Sequence, residues 1–280
     1  MVPDIHLIML TYNRLEYTRK SLPRLLSDPS EEFSLTIWDN GSTDGTQDFL
    51  RNVNDRRIVD KIFSPTNKGQ AYVTDKIWHG TSAELVGKVD NDCLVTPGWT
   101  RILAQAHQDI EFLGAVGCWH FFPDDFDYER AKHKIQPFGK HKIFRHAWID
   151  GSAFLVKRRA YEAFRPCREN EYLTKFWIRL SLAGYIHGFY YPLIFQEHMD
   201  DPRSKHTLLK DEASYQKDKE FSHTIKKHGL ETLDDRRRWR EMVLENVNSG
   251  PWQAEYYVGW RAKLRRIKNK VKKTLLGGVY

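Results

Sequence analysis

Leu85-Val86-Gly87-Lys88-Val89-Asp90-Asn91-Asp92 is a short apolar run that breaks abruptly into polar residues, two of them carboxylates at i and i+2. A run of that length ending in a turn reads as a strand buried on both faces. The same event recurs upstream. Residues 5–10 end at Thr11-Tyr12-Asn13-Arg14, and residues 33–38 end at Asp39-Asn40-Gly41-Ser42-Thr43-Asp44-Gly45-Thr46. Residues 58–64 stop just before Asn67-Lys68-Gly69. Between these strands, 15–26, a segment starting near Thr46 and 69–80 read as helices, the second opening on turn and N-cap residues. Strands alternating with helices predict an α/β fold, a mostly parallel sheet flanked by helices. In open sheets of that kind ligands bind beyond the carboxyl ends of the strands, where all these polar clusters fall.

Downstream, the pattern predicts a helix over 99–109, strands over 114–121 and 153–157, a helix over 173–183 and a strand over 186–191. The His- and Lys-rich stretch 124–146 reads as an active-site loop. Two polar helices follow, over 204–227 and 234–246. Internal repeats and low-complexity tracts are absent from the sequence.

Composition narrows the classes. With 280 residues, 40% of them hydrophobic, the chain can bury a substantial core. Its three cysteines, Cys93, Cys118 and Cys167, are far apart and form no CxxC pair, which argues against a disulfide framework or zinc knuckle and for a reducing, cytoplasmic setting. Neither a signal-like start nor an 18-residue apolar run is present. The net charge is +7, yet eight Lys/Arg and no acid lie between 260 and 276, so the rest of the chain is close to neutral. A groove that tracks nucleic-acid phosphates would need its basic residues on the folded body, which argues against nucleic acid as a partner.

The chemistry sits at the strand ends. Two carboxylates at Asp90 and Asp92 can place one oxygen on a divalent cation while the other orients a ribose or a second metal site. Mn2+ or Mg2+ held there would stabilise the charge that develops on a diphosphate leaving group. Alone, such a pair is equally a turn that caps a helix, just as Asp39 alone is equally an Asx cap and Tyr12 alone a residue packed on the sheet edge.

Together, in this order, Leu10-Thr11-Tyr12-Asn13-Arg14, Asp39 to Thr46, and Asp90-Asn91-Asp92 resemble the three motifs of the family 2 glycosyltransferases of the GT-A (Rossmann-like) fold. The similarity covers roughly 4–200 and is closest over the first hundred residues. It implies an inverting, metal-dependent transfer of a sugar from a nucleotide diphosphate, a UDP-sugar first of all, to a glycan or lipid-linked glycan. By that resemblance Thr11 and Tyr12 line the base, Asp39 accepts from a base N–H, and Arg14, Asn67, Lys68, Asp90 and Asn91 join the donor contacts. Asp92 is then the metal ligand, together with His198 in Gln196-Glu197-His198. An imidazole there suits Mn2+.

The segment Trp148-Ile149-Asp150-Gly151-Ser152-Ala153 resembles the family's acceptor side, where Gly151 lets a strand approach the sugar. An inverting transferase needs a carboxylate to take the acceptor proton. The family supplies it from an E-D pair, but those positions fall here on Tyr172 and Leu173, leaving Glu171 as the nearest acid, with Glu169 and Asp150 as substitutes. That gap motivates the alternative of a membrane-docked pseudo-transferase. Nucleotidyl transfer is a weaker alternative, because the first strand's loop lacks the glycines of a phosphate loop.

The expected organisation is a GT-A domain over 1–203, with a nucleotide-binding half at 1–98 and an acceptor-binding half at 99–203. A helical extension follows over 204–258, then a basic amphipathic tail over 259–280. In that tail Trp260, Leu264, Ile267, Val271 and Leu275 recur at helical spacing among the eight basic residues. Such a helix lies on an anionic membrane surface, or else packs its apolar stripe onto the enzyme or a second subunit. With the resemblance, it implies a protein peripheral to the inner face of the plasma membrane, acting in bacterial surface polysaccharide or lipopolysaccharide synthesis.

Overall fold

The computed structural model describes residues 4–149, 151–165, 173–265 and 267. Its strands are β1 (Ile5–Thr11), β2 (Ser34–Asp39), β3 (Ile58–Phe63), β4 (Leu85–Asp90), β5 (Cys93–Val95), β6 (Leu113–Gly117), β7 (Ile135–Phe138), β8 (His141–Arg145), β9 (Phe154–Lys157), β10 (Ile186–Tyr191) and β11 (Gln196–His198). Its helices are α1 (Leu15–Leu25), α2 (Thr46–Asn52), α3 (Gln70–Gly80), α4 (Trp99–Asp109), α5 (Tyr128–Ala131), α6 (Arg158–Phe164), α7 (Leu173–Leu182), α8 (Glu212–Asp218), α9 (His223–His228) and α10 (Leu233–Ser249). Nine strands form one sheet in the order β3-β2-β1-β4-β9-β6-β10-β8-β7. Seven of the nine point the same way, β9 and β8 being the reversed pair.

Both faces of the sheet are covered, which is why its strands read as near-continuous apolar runs. Ile5, Leu7 and Met9 of β1 pack with Leu22 and Leu25 of α1, Leu50 of α2 and Leu103 of α4. Ile8 faces the opposite layer, with Trp78 of α3, Tyr161 of α6, Phe176 and Trp177 of α7 and Val247 of α10. A separate small cluster of Leu209, Tyr215, Ile225, Leu230 and Leu233 holds the helices that follow the sheet.

The register aligns the chemistry. Thr11 lies opposite Asp39 and Leu10 opposite Asp90, so the ends of β1, β2 and β4 share one edge. Antiparallel β9 enters at that edge, its first residue Phe154 opposite Lys88. The two-stranded ribbon of β5 and β11 rises from the same place and sets His198 opposite Cys93.

Three expectations are corrected. Residues 124–146 are not a loop: they hold α5 and the β7–β8 hairpin at the sheet's edge, where Pro137 needs no inner hydrogen bond. Its polar look misleads because Lys134, His141 and His146 are buried and serve as packing groups. The strand over 114–121 is shorter, ending at Gly117; Trp119 then bridges to Phe195 instead. The helix over 204–227 is two short helices, because capping at Asp211 and Ser222 starts each one separately and Gly229 ends the second in the left-handed region.

Candidate active site at the carboxyl edge of the sheet

Asp90 ends β4 with its carboxylate on the buried ammonium of Lys88, and its backbone N–H donates to Ser152 Oγ at 2.7 Å. Burial, and after it the neighbouring Asp92, push its carboxyl above the ordinary range, while Lys88 opposes them. Two residues on, the chain turns into β5, and the pairing of β5 with β11 carries His198 across 106 positions of sequence to Asp92. His198 Nε2 lies 3.4 Å from Asp92 Oδ2, and Met199 N–H donates to the Asp92 carbonyl at 2.8 Å. Burial alone would raise the Asp92 carboxyl. His198 first, then Arg14 and His120, outweigh it and hold the carboxyl well below the usual range.

Ligand atoms of Asp92, Cys93 and His198 lie within 4.8 Å of one another. Burial pushes the Cys93 thiol well up, and its Sγ donates to Asp92 Oδ1 at 3.5 Å, so it stays a thiol and supplies no thiolate. What remains is a carboxylate and an imidazole, a donor set that fits Mn2+ and, through the carboxylate, Mg2+.

His120 completes the cluster. Its ring centroid is 4.3 Å from that of His198, burial holds it neutral, and its Nδ1 is buried without a partner. That nitrogen faces Gly151, which sits at φ +73°, and a Cβ on Gly151 would fall 2.4 Å from it. Only glycine fits there.

Arg14 is buried and ion-paired to three carboxylates: Asp92 at 3.5 Å, Asp200 at 3.1 Å, and Asp218 through a bidentate pair. Asp39 is fully buried. Thr11 Oγ1, Gly41 N–H, Ser42 N–H and Oγ, and Gln47 Nε2 all donate to it, so in this structure it caps the turn after β2. Tyr12 meets Phe221 edge to face at 5.9 Å. Asn91 turns its amide to Thr18 Oγ1 at 2.9 Å and so ties the turn to α1. Asn67 accepts from Gly69 N–H at 2.8 Å, and exposed Lys68 donates its backbone N–H to Asn40 at 3.2 Å. Asp150, Glu169 and Glu171 lie outside the described residues. Asp200, Asp218 and His120 went unnoticed in the sequence; none belongs to a motif, and only their position around Asp92 marks them.

Two surface cavities of about 380 and 410 Å³ share Phe195, Glu197 and Lys205 on the outer flank of β11, and neither is lined by Asp90, Asp92 or His198.

A family model for glycosyl transferase family 2 matches residues 6–164, more than half of the chain. The chain belongs to that family. Among curated proteins, this family 2 member is 30% identical to the validoxylamine A glucosyltransferase of Streptomyces hygroscopicus subsp. limoneus over 113 residues. That match covers 38% of the chain and 24% of the relative, so the chain spans about a quarter of that protein's length. Among solved structures, the mannosyltransferase PcManGT of Pyrobaculum calidifontis, determined with GDP-Man and Mn2+, is similar with a TM-score of 0.55 at 18% identity, over 68% of this chain and 55% of that one. TarS of S. aureus, as its 1–349 portion, gives 0.52 at 12% identity, over 88% of this chain and 81% of that one. At such identities the likeness is one of fold, and the fold is that of the GT-A glycosyltransferases.

Proposed function

We propose that this family 2 member transfers a sugar, with inversion, from a nucleotide diphosphate donor to a hydroxyl of a glycan or lipid-linked glycan. A UDP-sugar is the first candidate. The observation that carries the reading is the meeting of His198 with Asp92 beside Thr11, Asp39 and Asp90, at the edge where α/β sheets bind nucleotides. When bound to Asp92 and His198, Mn2+ or Mg2+ supplies positive charge against the leaving diphosphate.

The chain's own groups do the rest. Tyr12 offers a ring face to the base. Asp39 can accept a base N–H once Gln47, whose Nε2 donates from a neighbouring helix at 2.8 Å, swings aside. Lys88 fixes the Asp90 carboxylate for the ribose. Gly151 leaves room for the transferred sugar. Glu171 or Asp150 takes the acceptor proton. For the correct one, Glu171→Gln or Asp150→Asn should lower kcat by roughly 10²- to 10⁴-fold with donor affinity unchanged. Loss of donor binding instead would remove that residue from the base role.

The tail supports a lipid-side acceptor. Trp260, Leu264 and Ile267 are 66%, 54% and 58% exposed, with basic residues between them. Among the described residues no helix is long and apolar enough to cross a membrane. Attachment through this stripe to an anionic inner leaflet places the site next to acceptors of bacterial surface polysaccharide synthesis. Calorimetry of UDP-, GDP-, TDP- and CMP-sugars with and without Mn2+ tests the reading. Mn2+-dependent binding of one donor supports it, and binding of none overturns it. Donor binding without transfer to any acceptor would favour the pseudo-transferase.

A further inference from the structure

Arg14 is held in a way that packing alone does not require. It follows Asn13 at the end of β1, and both residues sit at positive φ, 54° and 61°. Consecutive non-glycine residues in that region are strained and persist only where their surroundings enforce it. Here Asn13 N–H donates to Ser42 Oγ at 2.7 Å and Asn13 Oδ1 accepts from Thr43 N–H at 2.8 Å, locking the loop to the turn after β2. The guanidinium that results is clamped from the far end of the chain. Nε donates to Asp218 Oδ1 at 3.1 Å, Nη2 donates to Asp218 Oδ2 and to Asp200 Oδ1 at 3.1 Å, and Asp200 is fixed in turn by Arg236 of α10 at 2.6 Å. Asp218 takes the Nε–Nη2 edge and Asp200 the other Nη2 N–H, which leaves only Nη1, beside Asp92 Oδ2 at a long 3.5 Å. Asp200, Asp218 and Arg236 all lie beyond residue 164, where the family match ends.

We propose that Asp218 and Asp200 are positioning residues: they aim Nη1 of Arg14 at the diphosphate of the donor, so that the C-terminal helices form part of the active site. The inference rests on the donor reading above. A guanidinium whose Nε and Nη2 are held by two carboxylates can present Nη1 to a phosphate oxygen at little further ordering cost. The charge count agrees. Arg14 and Arg236 face Asp92, Asp200 and Asp218, so the cluster gains when a cation joins Asp92 and Arg14 turns to an anion.

The test compares Asp218→Asn and Asp218→Glu with the wild-type chain. UDP, GDP, TDP and CDP are titrated with Mn2+ by calorimetry, and the best ligand's parent nucleoside is followed by ligand-observed NMR. Asp218→Asn should weaken the diphosphate about ten-fold or more and leave the nucleoside unchanged, while Asp218→Glu recovers much of the loss. Asp218→Asn should also add nothing to Arg14→Gln, as expected when one residue acts through the other. Wild-type diphosphate affinity in Asp218→Asn overturns the proposal, and so does an equal loss for nucleoside and diphosphate. If Asp218→Asn fails to fold, Asp200→Asn is read by the same criteria. Absence of binding by the wild-type chain itself would instead sink the donor reading and the clamp with it.

Discussion

At the scale of single residues, Asp92 and Gly151 make the sharpest demands. Asp92 is the point on which His198, Arg14 and the Cys93 thiol converge. Asp92→Ala should abolish Mn2+-dependent donor binding and turnover while the fold persists, because the residue ends a turn and packs no core. Retained turnover would take the carboxylate out of the mechanism. Gly151→Ala combines a backbone at φ +73° with a Cβ 2.4 Å from His120 Nδ1. A cost of about 1–3 kcal/mol in stability is expected from the strain alone, read as a lowered urea midpoint, and an unchanged midpoint would rule out both the strain and the contact with His120. Most of these identities were legible in the sequence, since Asp90, Asp92 and Asp39 sit in turns that follow apolar runs. The state of Asp39 was not. The five donors that enclose it come from β1, the turn and α2, and only folding brings them together.

At the scale of elements, α4 carries a pH dependence. Its His107 is buried between the carbonyls of Leu113 and Leu155, at 3.3 and 3.0 Å, and burial lowers its pKa to about 3. An unfolded chain takes up this proton below about 6.5, whereas the folded chain refuses it until about 3. Stability is therefore constant above pH 6.5 on this account and falls as the pH drops toward 3, by at most about 1.4 kcal/mol per pH unit for this one group. Urea midpoints at pH 7.5, 6 and 5 should show the fall, and His107→Gln should flatten it by nearly one proton; an unaltered slope would assign it to other groups, such as buried His187. The elements also show where pattern reading stops. α4 was read to its residue limits because its apolar face has helical spacing. β7 and β8 were missed because their buried faces carry His141 and lie next to Lys134 and His146, polar residues that the pattern assigns to solvent.

At the scale of the whole molecule, the C-terminal helices and the sheet are joined by buried charge. Beyond the Arg14 clamp, Arg240 of α10 pairs with Asp201 and, at 2.8 Å, with Asp125, which Arg203 also reaches at 2.6 Å. Breaking one partner of such a network leaves a buried charge uncompensated, a loss of about 3–5 kcal/mol. The tail beyond it presents Trp260, Leu264 and Ile267 outward. A chain lacking residues 260–280 should keep its thermal midpoint and its donor affinity but fail to sediment with anionic liposomes, and undiminished sedimentation would rule out the tail as the anchor.

Local properties of the chain determined the class of fold and the edge at which the candidate site residues gather. Apolar runs of strand length, helical spacing between them and carboxylates in the turns are all set by neighbours a few residues apart. Tertiary structure alone decided which distant groups meet Asp92. β5 and β11 are three residues each, too short to show a period, and their pairing is what brings His198 across. Arg14 finds Asp200 and Asp218 because the packed C-terminal segments bring their carboxylates against its buried guanidinium.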